Sequence, residues 1–337
     1  MGADTNGPSG PGPHMQGLWL DDEPRLVTDL PVPTPAAGEA LVRVRLAGVC
    51  GTDLAVLKGY VPFCGVMGHE FVGEIAAATA APGRVGERVV GEINVVCGDC
   101  AACRAGRSSH CERREVVGLR GRNGVFAEYV TLPLANLHRV PNAVPDEAAV
   151  FTEPLAAALQ ILRQVPVGPD QRVLVVGAGR LGQLIARVLR LTGCELAVVA
   201  RREPQRALLA AADIPWRSEG DVPTAGFDIV IEASGAPGGL ALARRALRPL
   251  GTLVLKSTYA GEVAMDLARC VVDEITVVGS RCGPFAPALR LLAGDLVDPT
   301  PLIDDRFALA DAEAALRRAA EPGVLKVLID CGDFHRG

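Results

Sequence analysis

Four cysteines, Cys97, Cys100, Cys103 and Cys111, fall within fifteen residues of chain. Thiolates so spaced can close a tetrahedron around Zn2+ with no position left open, which makes a structural site that pins a loop with little core of its own. A redox pair is the competing use of clustered cysteines. The set reads as a metal site. A second constellation is dispersed: Cys50, Thr52 and Asp53 in Cys-Gly-Thr-Asp, His69 and Glu70 after Gly68, and Glu153 before Pro154 and Leu155. Cysteine, histidine and carboxylate with one position open is the pattern of catalytic zinc. Taken singly each residue is ambiguous. Cys50 alone would be a small core residue, Glu70 a surface carboxylate, and Glu153 an acid favoured by a helix N-terminus.

A third feature is Gly177-Ala-Gly179-Arg180-Leu181-Gly182, which follows an apolar run and opens a helical one. In that setting the glycines mark a dinucleotide site. Gly177 permits the tight turn, Gly179 lets backbone approach a pyrophosphate, and Gly182 lets helix and strand pack closely. The N–H groups of the helix start, at Arg180 and Leu181, then face the phosphates. A glycine-rich connector without ligand is the plainer alternative. The next strand ends at Val199-Ala200-Arg201-Arg202. An NAD site usually places an acid at that tip for the ribose hydroxyls. Here the aligned position is Ala200, and Arg201 and Arg202 suit a 2′-phosphate. NADP(H) is therefore favoured over NAD(H), unless the two arginines are merely exposed at a helix start.

The elements that must position these residues differ along the chain. Residues 16 to about 152 carry short alternating runs such as 40–46, split by Gly and Pro, and predict a β-rich unit. From 154 to about 283 the texture becomes strand then helix: strands over 172–176, 196–199, 228–231 and 252–255, and a helix over 181–191. That alternation predicts a doubly wound parallel sheet with helices on both faces. A helix over 286–293 leads into a mixed tail that should rejoin the first unit. The expected division is a leader at 1–15, a catalytic unit of 16–153 with 285–337, and a nucleotide-binding unit of 154–284.

Bulk properties narrow the class. The chain has 337 residues, 49% of them apolar, and a formal charge of −5. Two domains suit that length, and no basic run tracks nucleic acid. No apolar stretch has the roughly 20 residues of a membrane span. The first residues lack the apolar core of a signal peptide, and Gly12 to Met15 resembles a cloning remnant. A cytoplasmic, reducing setting is expected, in which clustered cysteines hold metal.

In order and content these motifs resemble the medium-chain dehydrogenase/reductase family, the zinc-dependent alcohol, polyol and threonine dehydrogenases. The resemblance covers nearly all of residues 16–330. It implies a Rossmann sheet beside a GroES-like catalytic domain. It also implies two zinc ions per chain and hydride transfer between a small carbinol or carbonyl and a nicotinamide cofactor. By the resemblance Cys50 and His69 are catalytic-zinc ligands, with Glu70 and Glu153 as the remaining candidates. Glutamate at 153, where simple alcohol dehydrogenases carry cysteine, is similar to the polyol and threonine branch. Asp53 resembles the acid that orients the zinc-bound histidine, and Thr52 the hydroxyl that starts the proton relay. The family often places a histidine five residues after the cysteine; here that position is Ala55. The proton path must therefore be shorter, use water, or use another residue.

The remaining cysteines, Cys64, Cys194, Cys270, Cys282 and Cys331, read as buried thiols. Residues 256–259 end a strand on the ligand side of the sheet, and 274–279 resemble the edge strand through which the family pairs, which implies a homodimer or homotetramer. Two other functions compete: an NADPH-linked reductase of activated C=C or C=N bonds, and a non-enzymatic nucleotide-binding protein. The intact ligand set argues against both.

Overall fold

The computed structural model describes residues 13–259 and 261–332. Its first half is built on antiparallel ladders whose residues alternate as their burial demands. In the strand Glu39–Gly48, Ala40, Val42, Val44 and Leu46 are buried while Arg43 and Arg45 point outward, the period-two pattern of a sheet with one face on a core. This strand pairs with Glu70–Ala77 on one side and with the carboxyl-terminal strand Lys326–Asp330 on the other. The chain's last strand thus closes the sheet begun near its start. Loops with little apolar content, including the four-cysteine lobe, hang from this β-rich half.

The second half is a six-stranded parallel sheet. Across it run Trp216–Arg217, Glu195–Val199, Arg172–Val176, Phe227–Glu232, Leu247–Leu255 and Thr276–Gly279. Numbered by sequence the order is 3-2-1-4-5-6, with its switch point between Arg172–Val176 and Phe227–Glu232, where such sheets bind dinucleotides. Helices cover both faces, so the central strands are apolar on both sides: Val173 to Val176 and Val230 to Ile231 are buried throughout. The expected helix over 181–191 spans Arg180–Arg190, and the one over 286–293 spans Phe285–Ala293.

One continuous core joins the halves. Leu46, Val72 and Val90 of the antiparallel sheet cluster with Leu155 and Ile161 of the helix Thr152–Gln164 and with Val173 and Val175 of the parallel sheet. That helix is the seam, and it carries Glu153 on its first turn.

Two expectations are corrected. The leader of 1–15 was set too long: a strand already begins at His14, and Met15 is buried against Val66 and Ala127. Residues 1–12 of that leader lie outside the described residues. Of the five cysteines read as buried, only Cys331 is; Cys194, Cys270 and Cys282 are half-buried and Cys64 is exposed, because Cys64 sits in the loop before Gly65–Val66 with no core over it. Among the described residues no helix is long and apolar enough to cross a membrane.

Candidate active site

The site begins with strand register. Gly48 stands opposite Glu70 in the ladder, so Cys50, just past one strand, meets His69, just before the other. Cys50 caps the short helix Gly51–Val56, and its N–H donates to Asp53 Oδ2 at 2.8 Å. That turn holds Asp53 inside the core, wholly buried, 3.1 Å from His69 Nδ1. The contact is out of hydrogen-bond alignment, which leaves Asp53 Oδ1 and His69 Nδ1 without another partner. Burial opposes protonation of His69, but the Asp53 carboxylate and the Cys50 sulfur outweigh it and hold its pKa well above the usual range.

Donor atoms of Cys50, His69 and Glu70 all lie within 4.8 Å of one another. Sulfur, imidazole and carboxylate at that separation suit a borderline-soft ion such as zinc. The fit is strengthened by the buried imidazole and carboxylate that lack aligned partners. Glu153 stands outside this trio. Burial raises its pKa and the Glu70 charge adds to the rise, while His69, Lys326 and Lys256 oppose it; it shares the electrostatic surroundings of that centre from the first turn of the seam helix. Thr52 Oγ1 is 3.7 Å from Cys50 Sγ.

Two lysines, invisible to motif reading, complete the electrostatics. Lys326 forms a buried ion pair with Glu70 and sits 5.0 Å from the Phe151 ring centroid. Lys256 donates to Ala157 O at 2.8 Å and to Ser280 Oγ at 3.3 Å, and burial pushes it down to about 8 against the pull of Glu153. Nothing in the local sequence marks Lys326, while Lys256 opens the segment 256–259 read as a strand end on the ligand side of the sheet. Each lies far from its acid along the chain and is brought in by a strand end.

In the lobe, the sulfurs of Cys97, Cys100, Cys103 and Cys111 also lie within 4.8 Å of one another. Cys97 Sγ is 3.4 Å from Cys111 Sγ and 3.9 Å from Cys103 Sγ. Backbone donors at Glu112 and Cys103 bring Cys100 down to about 6, the direction a thiolate ligand needs, while burial and the neighbouring sulfurs push Cys103 up to about 12. The local core here is only Cys100, Ala102 and Cys111 with a few neighbours, so a bound ion would supply the stability that packing does not.

The nucleotide cleft, about 240 Å3, opens over Gly177, Gly179, Arg201, Arg202, Gln205 and Ser234. Gly177 has φ of +109°, and a Cβ on Gly182 would lie 2.0 Å from Gly177 O, so turn and helix can meet only through glycine. A Cβ on Gly179 would meet nothing within 4 Å; the space beside it is open to a ligand, which fits a nucleotide there. Arg180 begins the helix, hydrogen-bonds Ala319 O and borders a second opening with Arg202, while Leu181 is half-buried against the core. Arg201 reaches Glu219 at 3.1 Å. Arg206, which sequence reading passed over, donates to Ala200 O at 3.0 Å and stacks its guanidinium 4.5 Å above Trp216.

Residues 36–142 match the family described as alcohol dehydrogenase GroES-like domain. The chain is 35% identical to the L-threonine 3-dehydrogenase of Streptomyces coelicolor over 93% of this chain and 96% of that one. It superposes with a TM-score of 0.85 on a zinc-binding dehydrogenase from Sinorhizobium meliloti bound to NADP, at 26% identity, covering 94% and 99% of the two chains. An Escherichia coli alcohol dehydrogenase complexed with NADH gives 0.86 at 27% identity, covering 95% and 100%.

The Glu70–Lys326 pair yields a stability test. Replacing Lys326 with methionine leaves a carboxylate buried without its cation, and the expected loss is about 3–5 kcal/mol in urea unfolding. Adding Glu70→Gln should return at least half of it. Unchanged stability of Lys326→Met would show that the pair contributes nothing.

Proposed function

The chain belongs to the zinc-dependent alcohol dehydrogenases of the medium-chain dehydrogenase/reductase family, and from that premise we propose that Cys50 and His69, with Glu70 or Glu153, form its catalytic metal site. The protein is an NAD(P)-linked oxidoreductase of a small-molecule substrate. The single observation that carries the site is the convergence of thiol, imidazole and carboxylate within 4.8 Å. Zinc bound there supplies Lewis acidity, polarising the substrate C–O bond and lowering the alcohol pKa.

The chain's own residues do the rest. Asp53 faces His69 Nδ1, so Nε2 is the ring nitrogen left for the metal. Lys326 forms a buried ion pair with Glu70, while Glu153 sits on the first turn of the seam helix. The Thr52 hydroxyl, beside Cys50, would accept the alcohol proton while giving up its own to the next group on the path. Beyond Thr52 the side chain at Ala55 cannot carry a proton, so the path is shorter, runs through water or uses another residue. The four lobe cysteines hold a second, structural zinc. The division proposed from the sequence, with its first boundary moved back to His14 and otherwise as a catalytic unit through 153 with 285–337 and a nucleotide unit of 154–284, is supported by the two largest sheets, which take their strands from those segments.

NADP(H) is the preferred cofactor. Ala200 offers no carboxylate at the strand tip, and Arg201 and Arg202 line the cleft. The Arg201–Glu219 pair is largely exposed, so turning Arg201 toward a phosphate costs little. The proposed assembly is an isologous dimer, alone or doubled into a tetramer, through the edge strand Thr276–Gly279. Its support is apolar exposure beside that edge, with Val277 at 42%, Val271 at 76% and Val272 at 79%, a surface that isolated chains rarely leave in water.

Three measurements test these assignments. Metal analysis should find close to two zinc ions per chain, one removable by chelator with loss of alcohol oxidation but not of folded structure; a single ion after zinc is supplied would empty the Cys50–His69 site of its role. NADPH should bind at least about tenfold tighter than NADH, and Arg201→Ala with Arg202→Ala should erase the difference; equal affinities in the starting protein would sink the preference. Sedimentation at micromolar concentration should give a dimer or tetramer, and a single-chain mass would rule out the edge-strand assembly.

A further inference from the structure

A cleft of about 500 Å3 opens beside the seam helix, with Glu92, Asn94, His138, Glu153, Arg163 and Arg281 in its wall. Its charges are unevenly paired. Glu92 is joined to His138 Nε2 at 2.9 Å, and Glu153 lies in the field of His69 and two lysines. The arginines have no such partners. Among the described residues, neither Arg163 nor Arg281 has a carboxylate within ion-pair distance, and nor does Arg114 behind them. Instead Arg281 Nη2 and Arg114 Nη1 both donate to one carbonyl, Ser109 O, the former at 2.7 Å. Arg114 Nε is buried with no partner at all. Burial and the neighbouring Arg281 charge both lower the Arg114 pKa, so the two guanidinium groups stand close enough to repel.

Like charges gathered in a chain of net −5 need a reason, and the backbone shows that Arg281 is held in place. Cys282 adopts φ of +51°, a left-handed conformation rarely taken by a residue other than glycine. Its sulfur accepts from Asn94 Nδ2 at 3.3 Å. Gly283 packs so tightly on the seam helix that a Cβ would lie 1.8 Å from Ala156 O. The Arg281 backbone is therefore fixed relative to the helix that carries Glu153, and its exposed side chain stands at the wall of the same cleft.

We propose that the substrate is anionic: its carboxylate or phosphate is bound by Arg281, with Arg163 and Arg114 adding positive field, while its carbinol lies toward Glu153, the metal-ligand candidate that lines this cleft. The substrate class is thus a hydroxy acid or a phosphorylated polyol. The inference rests on the dehydrogenase site assigned above and names what that site accepts.

The test is equilibrium binding to the zinc-loaded protein with oxidised cofactor. Three probes are compared: 3-hydroxybutyrate, glycerol 3-phosphate, and 1,3-butanediol, which has the hydroxybutyrate skeleton without the charge. At least one anion should bind about tenfold or more tighter than the diol, since charge-assisted contacts carry that much; which anion it is separates carboxylate from phosphate. Added salt should weaken the anion and spare the diol. Arg281→Gln should erase most of the anion's advantage with a smaller effect on the diol, and Arg281→Lys should restore part of it. Arg163→Gln, on an exposed helix position, gives a milder loss of the same kind and serves if the Arg281 variants misfold. Equal binding of all three probes, or losses shared equally by anion and diol in the variants, would overturn the proposal. Oxidation is followed separately. Charge preference without turnover of any probe or simple alcohol would count against the assigned catalytic site and leave the anion site standing.

Discussion

Gly48 and Glu70 face each other across an antiparallel ladder, and a slip of one residue would turn Glu70 to the opposite face of the sheet. Everything at the metal end depends on that register. Cys50 leaves one strand just beyond the pair, His69 enters the other just before it, and Leu328 opposite Gly48 brings Lys326 alongside. Gly48 itself keeps the crossing open, since a Cβ there would lie 2.9 Å from Glu70 Oε2 and 3.5 Å from Lys326 Nζ. Three segments far apart in sequence are thereby held as one rigid corner. A metal ligand set gains from such stiffness, because binding then orders little that was loose.

Charge at the two functional regions is handled differently. In the antiparallel half it is paired side chain to side chain, Glu70 with Lys326 and Asp53 with His69. In the parallel half, Glu232 at a central strand end accepts from Ser234 N at 2.8 Å and from the hydroxyls of Ser234 and Tyr259 at 2.5 Å each. Burial and that carboxylate together push the Tyr259 hydroxyl well above its ordinary pKa, which keeps it a donor. The bonds tie the loop after Leu247–Leu255 to the loop after Phe227–Glu232, both on the ligand side of the sheet. The cofactor region is thus shaped by backbone and hydroxyl donors, and the reaction region by ionised pairs.

Much of this was legible in the chain. Parallel strands buried on both faces must be uniformly apolar, and the glycines at 177 and 182 answer to steric demands that no other residue meets, so both announce themselves locally. Four cysteines in fifteen residues do the same. Lys326 and Arg281 were silent, since each works on a partner distant in sequence and sits in no motif, and Lys256 was marked only by its place at a strand end. The burial of the lone cysteines was misread for a related reason. A thiol's environment is set by what folds over it, and nothing folds over Cys64.

The sequence by itself determined the local chemistry: which donors exist, which turns demand glycine, which runs are strand or helix, and hence the family's scaffold. These follow from residue type and short spacing, where sterics and hydrogen bonding act within a few residues. Only the tertiary structure decided which acid shares a corner with Cys50 and His69, which lysine neutralises it, and where unpaired guanidinium groups meet the cleft. Those outcomes depend on register and on packing across the seam helix, and electrostatic energy varies with distances that chain order does not encode.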